Sequence, residues 1–390
     1  MPETPDLPSR QPAASLGPRD GLRIAAVWAI WGAAILALAA AAWSVRFETL
    51  DPWREISTDP PLARWDATWY REIATRGYSF EPGRAANSVG YYPLYPLVVG
   101  GISRALGVSF FAAGIGFSLL CLLAALLLFG EYLCQWAGRE AALPGIACLL
   151  FFPTSFYFAS AYTESLFLLT TVAAILSARR GRWAVAGFAG FAAALLRLNG
   201  AVVVLPLAWY AFEDAGRRLR RLRPAPLASV AATVAGASLF PAYLWYRWGD
   251  PLLYIHVKTA GWSQQVKPVW TLAARIWKEL LSAIGNPRDQ KSPVFLLALA
   301  SLILFLFLTV VLFRRKAIAE GLYAAGMLLV LLHSGVIQGA HRYVLVLFPC
   351  FAILSQYLVR RPVTAFAYAF AGAAGEACLL AAFVHWIYVA

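Results

Sequence analysis

Residues 64–96 read RWDATWYREIATRGYSFEPGRAANSVGYYPLYP, a polar, aromatic stretch between two apolar ones. Asp66 is the lone acid of its opening cluster, Arg64-Trp65-Asp66-Ala67-Thr68-Trp69-Tyr70, and Pro93 and Pro96 open the next apolar run. The surrounding composition decides what such a stretch can be. Of 390 residues, 61% are hydrophobic and 14% charged, and the mean hydropathy is +0.64. That balance excludes a soluble globular domain and defines an all-α polytopic membrane protein. Residues 64–96 are then a structured, acid-bearing loop at a membrane face, a place for chemistry rather than a connector.

The net charge of +13 comes from short basic clusters between apolar runs. These are Arg179, Arg180 and Arg182; Arg217 to Arg223; Arg314, Arg315 and Lys316; and Arg360 with Arg361. That spacing is a topology signal, not a nucleic-acid footprint. With the clusters on the cytoplasmic side, residues 1–22 form a disordered cytoplasmic tail and 23–390 a single transmembrane domain. Residues 45–91 and 249–292 become the large external loops. The apolar runs give about ten to twelve spans at ~20 residues each. The short, proline-bearing run at 92–106 is expected not to cross fully. Residues 183–212 are expected to be two short segments broken near Arg197-Leu198-Asn199-Gly200. Five cysteines lie in or beside apolar segments with no metal-binding spacing, and read as small core residues.

Ionisable groups inside spans are costly, about 2.5–3.5 kcal/mol at a helix centre, so each one present is a functional suspect. This chain has few: Glu164, Arg197 beside Asn199, His341 with Arg342, and Glu376. Glu164 also suits a helix N-terminus, Arg197 and Arg342 also suit a membrane edge, and Glu376 reads as a packing residue. The topology drawn from the Arg clusters nevertheless puts Asp66, Glu164, Arg197 and Arg342 on one outer face. The loop 249–292 adds basic residues that suit an anionic headgroup, His256, Lys258 and Lys267, among interfacial aromatics. There is no phosphate-binding glycine loop, no dinucleotide fingerprint and no metalloprotease or esterase motif. A nucleotide-driven pump is unsupported, and a lipid-borne activated substrate fits better.

Trp65-Asp66-Ala67, Trp69-Tyr70, Gly77-Tyr78 and Tyr92-Pro93-Leu94-Tyr95-Pro96 resemble the first-loop signature of PIG-V-type mannosyltransferases, relatives of the second GPI mannosyltransferase. Phe152 to Phe156 through Ala161 to Phe167 is similar to that family's next motif, Arg197 to Gly200 to its third, and His341-Arg342-Tyr343 with Pro349 to a C-terminal block. Tyr91-Tyr92 stands where the family often has two phenylalanines, a mild departure. The resemblance implies a GT-C-type bundle with a structured first external loop, and a polyprenyl-phosphate sugar donor. It implies an acidic catalytic residue in the first external loop, here Asp66, acting as base in an inverting mannosyl transfer. Arg342 or Arg197 would sit near the phosphate, and Glu164 would orient Asp66 or touch the sugar. The substrate-contacting set expected from the residues and the resemblance together is Arg64, Trp65, Trp69, Tyr70, Tyr92, Tyr95, Tyr162, Glu164, Arg197, Asn199, His256, Lys258, His341 and Arg342. A divalent metal is left open, and no other cofactor is implied. Membrane lipid is an expected partner. The acceptor would be a lipid-linked or cell-envelope glycan, since the Ala- and Arg-rich chain looks bacterial and bacteria make no GPI anchors. The expected location is a bacterial plasma membrane with the site facing outward. Two rival classes remain at this point: a transporter or flippase of an anionic lipid or solute, and a non-catalytic partner of another membrane transferase.

Overall fold

The computed structural model describes residues 15–45, 59–84, 86–262, 269–286, 289, 291–334 and 337–389. Most of the expected N-terminal tail, residues 46–58 of the first loop, and residues 263–268 with Lys267 lie outside them. The described residues form α-helices and short 3-10 turns, with no strand. The helices are α1 (Pro18–Ser44), α2 (Asp66–Arg76), α3 (Leu94–Leu106), α4 (Phe110–Ala137), α5 (Ala142–Leu150), α6 (Glu164–Arg179), α7 (Trp183–Ala194) and α8 (Val204–Asp214). They continue as α9 (Pro224–Trp248), α10 (Leu253–Trp262), α11 (Val269–Gly285), α12 (Lys291–Arg314), α13 (Ile318–His333), α14 (Ala340–Tyr343), α15 (Phe348–Val359) and α16 (Pro362–Val384).

Five of these, α1, α4, α9, α12 and α16, are long and apolar enough to cross a membrane. A sixth span results if residues 340–346 and α15, bent by 88°, are taken together. The remaining apolar runs counted in the sequence form shorter helices. The 13 residues of α3 reach only about 20 Å at 1.5 Å per residue, against a hydrocarbon core of about 30 Å. Residues 183–212 break as expected, into α7, a 3-10 turn over Leu198–Val203, and α8. The expected external loop 249–292 contains two helices, α10 and α11. The reason is visible in α11, where Trp270, Trp277, Leu281 and Ile284 recur at helical spacing.

Local chemistry sets the helix ends. Pro18 sits in the first turn of α1, and the Asp20 carboxylate accepts the Gly17 N–H at 3.1 Å. Ser109 caps α4 by accepting the Ala112 N–H at 3.2 Å. In lipid, small residues let helices approach. A Cβ on Gly187 would come within 2.9 Å of Ser229 Cα, and one on Gly236 within 2.5 Å of the Phe191 carbonyl, so α7 and α9 pack almost backbone to backbone. Phe188, Trp245, Phe307, Phe366 and Phe370 are exposed on the outside of the bundle, as expected where lipid is the solvent. Cys121, Cys134, Cys148 and Cys350 are buried and free, while Cys378 is free but exposed. Glu376 is buried and accepts the Ser155 hydroxyl at 2.6 Å, tying α16 to the segment that leads into α6.

Charge separates to the two ends of the bundle. At one end Asp20 pairs with Arg139, Glu131 with Arg180, and Glu320 with Arg179 at 3.4 Å, while Tyr210 donates to Glu320 at 2.6 Å. Arg315 bonds Gln356 across the nearby ends of α12 and α15. The other end gathers Asp66, Glu164, Arg197 and Arg342.

Candidate active site

Asp66 is the first residue of α2, where a carboxylate complements the helix dipole. Trp65 before it has φ +49°, a left-handed backbone unusual for a bulky side chain. Its ring is held edge-on by Trp386 at 5.5 Å and Tyr388 at 5.8 Å, packing that keeps the sharp entry to α2. The Tyr162 hydroxyl donates to the Arg64 carbonyl at 3.0 Å and accepts the Asp66 N–H at 3.2 Å. Arg64, wholly buried, donates to the carbonyls of Val384, Asp59 and Pro60 and lies against Trp43 and Trp386. These contacts fix the backbone of Asp66 before its side chain does anything.

The Asp66 carboxylate accepts the Tyr91 hydroxyl at 3.0 Å through Oδ1 and Arg342 Nη1 at 3.1 Å through Oδ2. Arg342 donates through Nε to Glu164 Oε1 at 2.6 Å. Arg197 pairs with the same Glu164 oxygen and donates to Thr163 Oγ1 at 2.5 Å. The Arg342 guanidinium also lies 4.5 Å from the Tyr162 ring and 4.7 Å from the Tyr157 ring. Residues from α2, α6, α14 and the turn before Leu198 thus form one chain of alternating charge: Asp66, Arg342, Glu164, Arg197.

Lys258 of α10 completes the set, its ammonium 4.0 Å from the centre of the Tyr91 ring. Burial lowers the Lys258 pKa to about 8, although Asp66 pulls the other way. Burial by itself would raise the Asp66 carboxyl. The opposing charges of Arg342 and Lys258 and the donated hydrogen bonds outweigh it and hold Asp66 below its usual value. Asp66 is therefore ionised at neutral pH. Burial and the Asp66 charge hold the Tyr91 hydroxyl well above its usual value, so it stays a donor.

These groups open on a cavity of about 600 Å³, a size suited to a small-molecule moiety. Asp66, Tyr70, Tyr92, Arg197, Asn199, Lys258 and Arg342 line its polar part. Met327, Leu328 and Leu331 of α13, with Leu198, Val202 and Leu347, line an apolar part. Glu164 stands behind Arg342 and Arg197 as their shared counter-ion.

The other expected contact residues sit elsewhere. Arg64, Trp65 and Tyr162 are beneath the loop, where their contacts are with protein. Trp69 stacks on Tyr91 at 5.8 Å. Tyr95 is wholly buried, its hydroxyl 3.1 Å from that of Ser118. His256 is exposed and paired with Asp250 at 2.7 Å, off the cavity wall. His341 is buried, with Nε2 2.5 Å from the Val389 carbonyl oxygen. Three residues absent from the expected set belong to the site: Tyr91, Thr163 and Tyr343. Tyr91 stood in the Tyr-Tyr-Pro run already quoted, but nothing there marks which ring meets the acid.

Among the described residues no group of three or more His, Cys, Asp or Glu side chains converges. The two carboxylates are separated by Arg342, which engages both.

A polytopic helical bundle with an ionised acid and three cations on the wall of a largely apolar cavity defines an integral membrane protein with an enzyme-like site. The chain belongs to the mannosyltransferase (PIG-V) family, whose model matches residues 44–246. It is similar to GPI mannosyltransferase 2 of Drosophila melanogaster, with 30% identity over 212 residues that cover 47% of this chain and 44% of that protein. The chain thus spans under half the length of this curated relative. No solved structure matches. Asp66, Glu164, Arg197 and Asn199 fall inside the family match, whereas Lys258 and Arg342 lie beyond it.

Proposed function

We propose that the protein transfers a mannosyl residue from polyprenyl-phosphate mannose to a hydroxyl of a lipid-linked or cell-envelope glycan, with inversion at C1. The observation that carries the reading is Asp66, the one carboxylate among the described residues that line the cavity, held ionised beside Arg342 and Lys258. The acceptor hydroxyl attacks C1 on the face opposite the phosphate and passes its proton to Asp66 as the new C–O bond forms. The C1–O bond to phosphate breaks, and its electron pair leaves with polyprenyl phosphate. No acid is needed for a leaving group of this kind.

Charge balance supports the same assignment. Arg197, Arg342 and Lys258 against Asp66 and Glu164 leave one positive charge in excess. A phosphodiester donor carries one negative charge and neutralises the site. After transfer Asp66 holds a proton, the excess becomes two, and the phosphate product carries two negative charges. The site therefore answers the charge on both sides of the reaction without moving a cation.

The apolar wall offers a path for the first units of a prenyl chain. By the positive-inside rule, the Arg-rich end is cytoplasmic and the cavity faces outward, on a bacterial plasma membrane. Purified protein in lipid nanodiscs, given radiolabelled polyprenyl-phosphate mannose and extracted envelope glycolipid, tests the reading. Asp66→Asn is expected to insert normally and lose turnover by about 10²–10⁴-fold. Wild-type turnover in that variant, or lipid flux without any sugar transfer, overturns it.

A further inference from the structure

Two residues of the cavity wall carry buried polar atoms without a hydrogen-bond partner among the described residues. Asn199 lines the cavity, is only 7% exposed, and its Oδ1 has no hydrogen-bond partner among the described residues. Arg197 Nη1, two residues earlier on the same turn, is buried and equally without a hydrogen-bond partner. A buried amide oxygen left unmade costs free energy, and proteins tolerate this mainly where a ligand or water completes it. The turn cannot relax to hide it. A Cβ on Gly200 would meet the Ala193 carbonyl oxygen at 1.9 Å, so the backbone beside Asn199 is pressed against the end of α7.

We propose that Asn199, with Nη1 of Arg197, forms the subsite for the hydroxyls of the transferred hexose, an inference that rests on the transfer reading above. The chemistry separates this subsite from the phosphate position. The charge of Arg197 is already answered by Glu164, so it offers a directed N–H rather than a free cation. An amide beside such an N–H presents both acceptor and donor, which matches an uncharged polyol whose hydroxyls are both. Lys258 and Arg342 carry the charge complementary to a phosphate. Arg342 and Glu164 bridge Arg197 to Asp66, so the subsite and the base are two side chains apart on one wall. The Tyr343 ring, 6.0 Å from the Arg197 guanidinium carbon and also on the cavity wall, supplies a face for the sugar's C–H side.

The test compares two lipids, short-chain polyprenyl phosphate and its mannosyl ester, titrated into full-length protein in nanodiscs. Wild-type protein is expected to bind the mannosyl lipid more tightly than the bare phosphate lipid. Asn199→Ala is expected to weaken the mannosyl lipid by about 5–10-fold while leaving polyprenyl phosphate unchanged. Asn199→Asp keeps an acceptor oxygen in place and retains the preference for the mannosyl lipid, with both lipids weakened alike by its charge. Unchanged binding of both lipids in Asn199→Ala overturns the subsite. So does a preference lost in Asn199→Asp as completely as in Asn199→Ala. A wild-type protein that binds neither lipid overturns the transfer reading itself and is recognisable before any variant is made.

Discussion

Arg342 meets Asp66 end-on at 3.1 Å through a single Nη1 contact, while its Nε holds Glu164 at 2.6 Å. One guanidinium therefore serves two carboxylates from different helices. A lysine has one compact ammonium and cannot span both directions. Arg342→Lys is expected to remain folded, since Arg197 still answers Glu164, and to lose at least about tenfold in kcat/KM, equivalent to ~1.4 kcal/mol of transition-state stabilisation. Steady-state transfer assays on protein that elutes as a single species check it.

Lys258 predicts an alkaline limb. Its ammonium is held down to about 8 by burial, so the charge is present below that pH and is lost as pH rises through it. Affinity for an anionic donor should fall over the same interval, read as a rise in KM. In Lys258→Arg the cation stays charged throughout, and the limb should disappear between pH 7 and 9.5 or so. A limb that persists in the arginine variant assigns it to another group.

Tyr91 predicts a shift at the acid side. Its hydroxyl bond is one of the interactions that hold the Asp66 carboxyl down. Tyr91→Phe removes that donor, so Asp66 should protonate at higher pH. The acid limb of kcat/KM moves upward and activity at neutral pH falls by at most about 10–150-fold, the range of one hydrogen bond to a charged group at about 1.5–3 kcal/mol. A pH–rate profile of the variant against wild type measures the direction directly.

Gly200→Ala is expected to destabilise. The new methyl would overlap the Ala193 carbonyl, a backbone group that cannot swing aside. Overpacking of this kind costs about 1–3 kcal/mol. Thermal unfolding in detergent, followed by intrinsic fluorescence, should show a lowered Tm, with Gly101→Ala as the control because nothing lies within 4 Å of its added methyl.

The acid-and-arginine chain was legible before any coordinates because ionisable groups in apolar sequence are costly. Glu164, Arg197 and Arg342 stood out for that reason and Asp66 as the lone acid of an aromatic loop, and the Arg clusters separated them from the opposite end. Lys258 was readable only as one basic residue among several. His256 shared that type and neighbourhood but pairs with Asp250 instead. Tyr91 was hidden for a different reason. In a run of tyrosines, which ring faces the acid depends on the rotation of α2 and on the turn before Pro93, and neither has a residue-level signature. The short helices were harder to count than the long ones, since an apolar run does not say whether a break lies within it.

The contacts of Arg64 with Val384 and of Trp65 with Trp386 and Tyr388 join residues more than three hundred positions apart. Asp66 therefore acquires its final setting only once α16 has been threaded into the bilayer beside α1. During synthesis the first loop emerges early and waits, unfinished, through the insertion of every later helix. A ribosome-bound or prematurely ended chain would expose the acid without its supporting shell.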